Sequence, residues 1–509
     1  MPRQTSLRWN VAANYAGQIY AAVVNVVFLP VQVHLLGAEA YGLVGFFAVL
    51  SGWLMLLDVG LTPTVSRETA KFSAGALERP AYQELLRSLE ILFFALGLMV
   101  ALGVFGLSGP IARHWLHPEK LATSSVSNAV ALMGLSFAFR WQATLSRSVL
   151  SGLERQVWIN LVTAVFATLR SIGVLAVLKW VDSSPGAFFV YQSLVAALEL
   201  VALRLSVRKF LGVKRGERSR FSFAAIRRVA SFSLTIALTS TAWLFATQMD
   251  KLLLSKLLPL SEYAFFSLAV TAATGVNMLA GPIGQAVQPR LTYLFAERND
   301  SAFALTYSNA TQMLSATALT ASFLLAIAAR PVLWAWTGNA ELARQAAPVL
   351  ALYALGNGLL AVGAVTYYLQ IAGGDLRLHL RGTLIFSAML LPAVVLATLR
   401  AGMLGASVAW FVGNLIFFLG WIPLIHRRFL PGSHLRWLAR DVMLPAAVGS
   451  IPILLFRQAP VLSLPRLQLA LGLMLAAAIS VCGAALMTRP ARGFLVRLRR
   501  RPMPANSPR

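Results

Sequence analysis

The sequence predicts an all-α polytopic membrane protein of about 14 transmembrane helices, built as two parallel six-helix repeats followed by two C-terminal helices. Three observations predict it. Of 509 residues, 58% are hydrophobic and 12% charged, with a mean hydropathy of +0.70, whereas soluble globular chains are about half apolar and about a quarter charged. Apolar stretches of the ~20 residues that cross a bilayer as helix recur along the whole chain. The chain also matches itself at offsets of 219 to 222 residues.

The apolar stretches fall near 10–33, 40–63, 86–109, 124–149, 157–179, 186–207, 227–257, 262–288, 303–329, 343–371, 380–399, 403–425, 441–456 and 467–488. Several contain Pro (Pro30, Pro282, Pro392, Pro445, Pro452), which bilayer helices tolerate when neighbours satisfy the freed carbonyls. Counted from a cytoplasmic N-terminus, 32 of the 44 Lys and Arg lie in inner segments and 10 in outer ones. Cytoplasmic loops collect Lys and Arg, so both termini are expected inside. The short, basic start at Met1–Trp9 does not resemble a cleavable signal. The net charge of +26 is thereby read mainly as a topology signal, with no nucleic-acid partner expected. One cysteine, Cys482, excludes an intramolecular disulfide.

The repeat pairs Leu35, Leu36 and Tyr41 with Leu257, Leu258 and Tyr263. It pairs Pro110, Trp115 and Gly152 with Pro331, Trp336 and Gly373, and Gly186-Ala187 with Gly405-Ala406. Arg208 to Leu211 matches Arg427 to Leu430. An even number of helices per repeat makes the halves parallel. The expected divisions are a first lobe over 1–215, a second over 216–432, and two helices with a basic tail over 433–509, with a substrate path between the lobes.

Chemistry by known motifs finds no foothold. There is no Gly-Lys dipeptide for a phosphate-binding loop, no HExxH pair and no Asp-x-Asp. His114 and His117 lack a carboxylate partner for a metal site. The outer loops are too short for a catalytic domain, so the reading is a transporter without cofactors.

Ionisable groups at bilayer depth are costly and usually functional. Arg140 and Arg170 lie near the centres of the fourth and fifth segments; they either pair structurally or line a cavity, where guanidinium forks suit phosphate or an acidic sugar. Asn14, Gln18, Asn25 and Gln32 share one face of the first helix. Asn277 and Gln285, with Thr274 and Gln288, repeat that pattern in the eighth, and Ser240 and Thr247 fall at the repeat positions of Gln18 and Asn25. Such residues serve either interhelical hydrogen bonds or a hydrated cavity lining suited to sugar hydroxyls. Asp58 and the adjacent Asp250-Lys251 are candidates for gating or for coupling to H+ or Na+, while an adjacent pair can also simply neutralise itself. Glu90, Glu199 and Arg204 are placed at the inner interface, and Arg147 in the inner loop after the fourth segment.

The stretch Leu35 to Gly42, followed by Leu56-Leu57-Asp58-Val59-Gly60-Leu61 and Arg67, resembles the polysaccharide-transporter branch of the MOP superfamily, the Wzx-type oligosaccharide flippases. Asp250-Lys251-Leu252-Leu253-Leu254 through Tyr263 resembles its seventh-helix signature. The resemblance implies a V-shaped, MATE-like transporter moving an undecaprenyl-pyrophosphate-linked oligosaccharide across the bacterial inner membrane for surface or exopolysaccharide biosynthesis. A glycan polymerase, glycosyltransferases and membrane lipids are its implied partners. Asp58, Gly60, Arg67, Asp250 and Lys251 match the pattern as packing, gating or coupling residues. The lipid II flippase branch typically carries cations in its first two helices, whereas the first helix here offers only Asn and Gln, which argues against a peptidoglycan precursor. A MATE-type drug antiporter would carry a carboxylate in that helix, and none is present between 10 and 33.

Overall fold

The computed structural model describes residues 7–58, 61–73, 75–212, 221–227, 244, 248–457 and 465–492, which contain helices and no strands. Among these residues, nine helices are long and apolar enough to cross a membrane. Their outward faces are apolar as well: on the helix Arg79–Pro110, Leu102 is 61% and Phe105 67% exposed. Side chains so accessible on so many helices need a hydrocarbon solvent, and the chain is a multi-pass membrane protein.

Contacts divide the chain into two units, Met1–Ala264 and Phe265–Arg509. The first begins with α1 (Leu7–Leu36), α2 (Ala38–Leu54) and α3 (Leu61–Ser73). After these come α4 (Arg79–Pro110), α5 (Thr123–Gly152), α6 (Gln156–Thr168), α7 (Val174–Trp180) and α8 (Pro185–Leu211). Residues 248–257 are helical and belong to this unit. Here the Trp115 Nε1–H donates to Ser255 Oγ at 3.1 Å, and the Leu260 N–H donates to the His117 carbonyl at 3.2 Å. The buried Glu39 carboxylate accepts backbone N–H groups of Glu119, Lys120 and Leu121 at 2.5 to 3.2 Å, so the α4–α5 loop is tied to the start of α2.

The second unit takes in the rest of α9 (Leu260–Met278), which starts before the boundary, then α10 (Ala280–Ala296), α11 (Asp300–Leu314), α12 (Thr320–Ile327) and α13 (Ala329–Thr337). It continues with α14 (Ala340–Ala372), α15 (Arg377–Gly420), α16 (Ile422–Phe429), α17 (Leu444–Arg457) and α18 (Arg466–Leu486). Its core includes Leu291, Tyr307, Val362, Leu369 and Trp437. Asp441, on a widened turn before α17, accepts from Ser308 Oγ and Gln312 Nε2, both at 2.7 Å, binding the C-terminal helices to α11.

Local chemistry sets the ends of these helices. Ser184 caps α8 by accepting the Ala187 N–H at 3.2 Å, Pro185 takes the first turn, and Gly212 closes the helix in a left-handed conformation. Asn299 and Asn339 cap α11 and α14 in the same way. Two segments expected as single helices are broken. The 40–63 stretch ends α2 in a tight 3₁₀ turn, Met55–Asp58, where the Asp58 carboxylate accepts the Thr62 N–H at 3.2 and 3.3 Å and its hydroxyl, capping α3. The 262–288 stretch breaks between α9 and α10 and runs on to Ala296. The predicted gap after 399 appears as a kink within α15 at Ala401 and Gly402.

Gly402 has φ +54° and ψ −141°, near the region that only glycine occupies at low cost. Gly402→Ala is expected to cost about 1–3 kcal/mol of strain, read as a fall of several degrees in the apparent melting temperature of the detergent-solubilised protein; an unchanged melting curve would count against a strained kink.

Candidate functional site

In the first unit, a cavity of about 230 Å³ gathers three arginines and a glutamate. α2 and its 3₁₀ turn supply Ser51, Gly52 and Met55. α5 supplies Phe137, Arg140, Trp141, Thr144 and Arg147, while Arg170 and Glu199 enter from the α6–α7 junction and from α8.

Arg140 and Arg147 are seven residues apart on α5, two turns along one face. Arg140 sits with its guanidinium carbon 5.6 Å from the Phe47 ring centroid, within cation–π range. Arg170 reaches the cavity because the helix is not regular there. Leu169–Gly173 forms a π-turn between α6 and α7, a widened turn of the kind often found at functional sites.

Such a turn displaces carbonyls from their usual helical partners, and bilayer depth offers no water to replace them. Neighbouring side chains supply the donors. The Tyr191 hydroxyl donates to the Leu169 carbonyl at 2.9 Å, Gln192 Nε2 to that of Arg170 at 3.3 Å, and Gln32 Nε2 to that of Ser171 at 3.1 Å. The Ser171 hydroxyl donates to Asn25 Oδ1 at 2.7 Å. Part of the amide stripe of α1 therefore fastens the turn that presents Arg170.

Glu199 is 1% exposed, and its two carboxylate oxygens are divided between Arg147 and Arg170. Placing it at the inner interface is thus corrected: the apolar run around it carries it into the protein, where two guanidiniums offset the cost of burying its charge. Arg147 likewise belongs to the cavity. The seven-residue step from Arg140 was the signal that could have found it, and a carboxylate within an apolar stretch was the signal for Glu199. Arg204 meanwhile donates to Gln142 Oε1 at 2.7 Å.

The cavity holds three guanidiniums and one carboxylate. Buried hydrogen-bonding atoms of its lining, Ser51 Oγ, Arg147 Nε and Arg170 Nε among them, have no partner among the described residues. An environment with surplus positive charge and unmet donors suits an anion with several oxygens.

Other predicted residues are dispersed. Asp58 caps α3, and the Arg67 side chain is about half exposed beside Glu68. Lys251 Nζ lies 3.1 Å from Asp250 Oδ1, and Asp250 is buried. Asn277 is partly exposed in α9, in the second unit. Ser240, Thr247 and Gly60, and the side chains of Asn14, Gln18 and Gln285, lie outside the described residues.

A family model described as polysaccharide biosynthesis protein matches residues 7–295. No curated protein matches the chain. Among solved structures, the lipid II flippase MurJ in an inward closed conformation is similar with a TM-score of 0.73 at 13% identity, over 95% of this chain and 99% of that one. An inward-facing multidrug resistance MATE family transporter of the MOP superfamily gives 0.65 at 15% identity, over 79% of this chain and 94% of that one. A mutant of the Vibrio cholerae MATE transporter VcmN gives 0.56 at 14% identity, over 82% and 96%. The fold is therefore that of the MurJ and MATE transporters.

If Glu199 and Arg147 stabilise one another, their removal is not additive. A cycle of Arg147→Ala, Glu199→Ala and the double variant is expected to show a coupling of at least about 1 kcal/mol, measured by denaturant unfolding in detergent. Additive single effects would contradict the pairing.

Proposed function

This chain belongs to the polysaccharide biosynthesis protein family, and we propose from that premise that it is a flippase for an undecaprenyl-pyrophosphate-linked oligosaccharide. It would act in the bacterial inner membrane, by alternating access, in surface or exopolysaccharide synthesis. The observation that carries the reading is the cavity of Arg140, Arg147 and Arg170 facing a single carboxylate. Two of its positive charges remain uncompensated, matching the dianion of a pyrophosphate diester. A cationic drug would meet repulsion in the same place.

The division of labour follows from solvation. A pyrophosphate cannot enter hydrocarbon without a large desolvation cost, so it needs a protein seat across the membrane. The polyprenyl chain is already in its preferred solvent and need not leave it, and the glycan hydroxyls can be met by amides such as Asn14 and Gln18 of α1, whereas Asn25 and Gln32 fasten the π-turn. Arg supplies paired donors that a point-charge ammonium does not. Glycosyltransferases that build the lipid-linked glycan and a polymerase that consumes it are the expected partners.

In a strain lacking this gene, the variant Arg140→Ala/Arg147→Ala/Arg170→Ala is expected to leave surface glycan at the level of the deletion, while Arg140→Lys/Arg147→Lys/Arg170→Lys restores a fraction. Immunoblotting of surface polysaccharide, with variant abundance checked in membranes, reads the result. Wild-type glycan from the alanine variant would sink the proposal. Excess cations in inner loops also support cytoplasmic termini: a fluorescent protein fused after Arg509 is expected to be bright, and alkaline phosphatase at the same position inactive.

A further inference from the structure

We infer that Glu199 is an internal competitor of the transported anion, whose return to Arg147 and Arg170 drives the cargo's release. The inference rests on the anionic cargo proposed above. Its starting point is the geometry of the seat. One carboxylate oxygen of Glu199 meets the Arg147 guanidinium and the other meets that of Arg170. A phosphate presents two oxygens to two guanidiniums in the same bridging manner. Carboxylate and phosphate cannot use those donors together.

The surroundings limit what else could compete. Among the described residues, Glu199 is the one carboxylate of the cavity lining, and the other charged groups lining it are Arg140, Arg147 and Arg170. α2 and its 3₁₀ turn contribute Ser51, Gly52 and Met55, none of which is titratable in the working range. On its own helix, Arg204 is engaged with Gln142. Arg140, held over Phe47 rather than in the carboxylate clamp, offers an entering anion a first contact without displacing Glu199. The anion then exchanges for the carboxylate at Arg147 and Arg170, with no covalent step.

This arrangement lowers affinity and raises turnover. A seat that is free for only a fraction of the time binds with its affinity reduced by that fraction. Without an internal competitor, three guanidiniums would hold a pyrophosphate too well to surrender it at the far leaflet. Glu199 acts as a positioning residue on the two arginines.

The test uses the full-length protein in phosphatidylcholine nanodiscs, where no anionic headgroup competes, with inorganic pyrophosphate as the probe in titration calorimetry. Glu199→Gln keeps the shape and removes the charge. It is expected to bind pyrophosphate at least about tenfold more tightly than wild type, as for a seat otherwise free about a tenth of the time, while restoring less surface glycan in the deletion strain. A merely structural role predicts the opposite, since disordered arginines bind more weakly. Glu199→Asp, which keeps the charge but reaches less far, is expected to bind more tightly than wild type by a smaller factor, and it serves if the Gln variant does not purify as a monodisperse protein. Equal or weaker binding in the variant that purifies overturns the inference, as does tighter binding with wild-type export. If wild type binds pyrophosphate and only the variants behave unexpectedly, the proposed cargo class stands. If none of the three proteins binds it, the anion seat itself falls, and the inference with it.

Discussion

In hydrocarbon, a peptide group or a charge must find its partner inside the protein, and the arrangement around Arg170 is governed by that demand. The π-turn at Leu169–Gly173 persists because Tyr191, Gln192 and Gln32 each donate to one of its carbonyls. Those donors come from α8 and α1, so the turn can form only where three helices are already packed. Arg170 then stands where Glu199 can be held, and the pair with Arg147 follows. The charge site is thus a product of tertiary packing as much as of residue identity.

The same demand recurs elsewhere in the chain with different outcomes. Glu39 is buried yet needs no cation, because three successive backbone N–H groups of the α4–α5 loop point at its oxygens. Asp441 is served by a hydroxyl and an amide, and the result is a structural tie between α11 and the C-terminal helices. Around Glu199, by contrast, buried guanidiniums are gathered in excess of the carboxylate they serve. Excess separates a site from a staple: a balanced charge has finished its work, whereas an unbalanced one still attracts.

Much of the architecture was legible in the sequence, because hydropathy records the solvent a helix faces. The ends of α5, α8, α14 and α18 fall within a few residues of the apolar limits. What the pattern missed were breaks inside apolar runs, at Met55–Asp58 and between α9 and α10, where composition hardly changes and caps or kinks decide. Arg140 and Arg170 stood out because mid-membrane cations are rare. Arg147 and Glu199 did not, since an intramembrane charge one or two turns from a predicted end looks like an interfacial one until its partner is seen. The use of Asn25 and Gln32 as fasteners for Ser171 was equally hidden: amides on one face look the same whether they line water or grip a neighbouring helix.

A π-turn is longer by one residue than the α-turn it replaces, and this bears on how such a site is acquired. Removing one residue between Leu169 and Gly173 would restore regular helix, keep the flanks in register and redirect the side chains of the turn itself. Arg170 lies inside that turn, so its direction toward Glu199 depends on the extra residue as well as on the two side chains. The cavity's charge is therefore open to gain or loss by a single codon insertion or deletion.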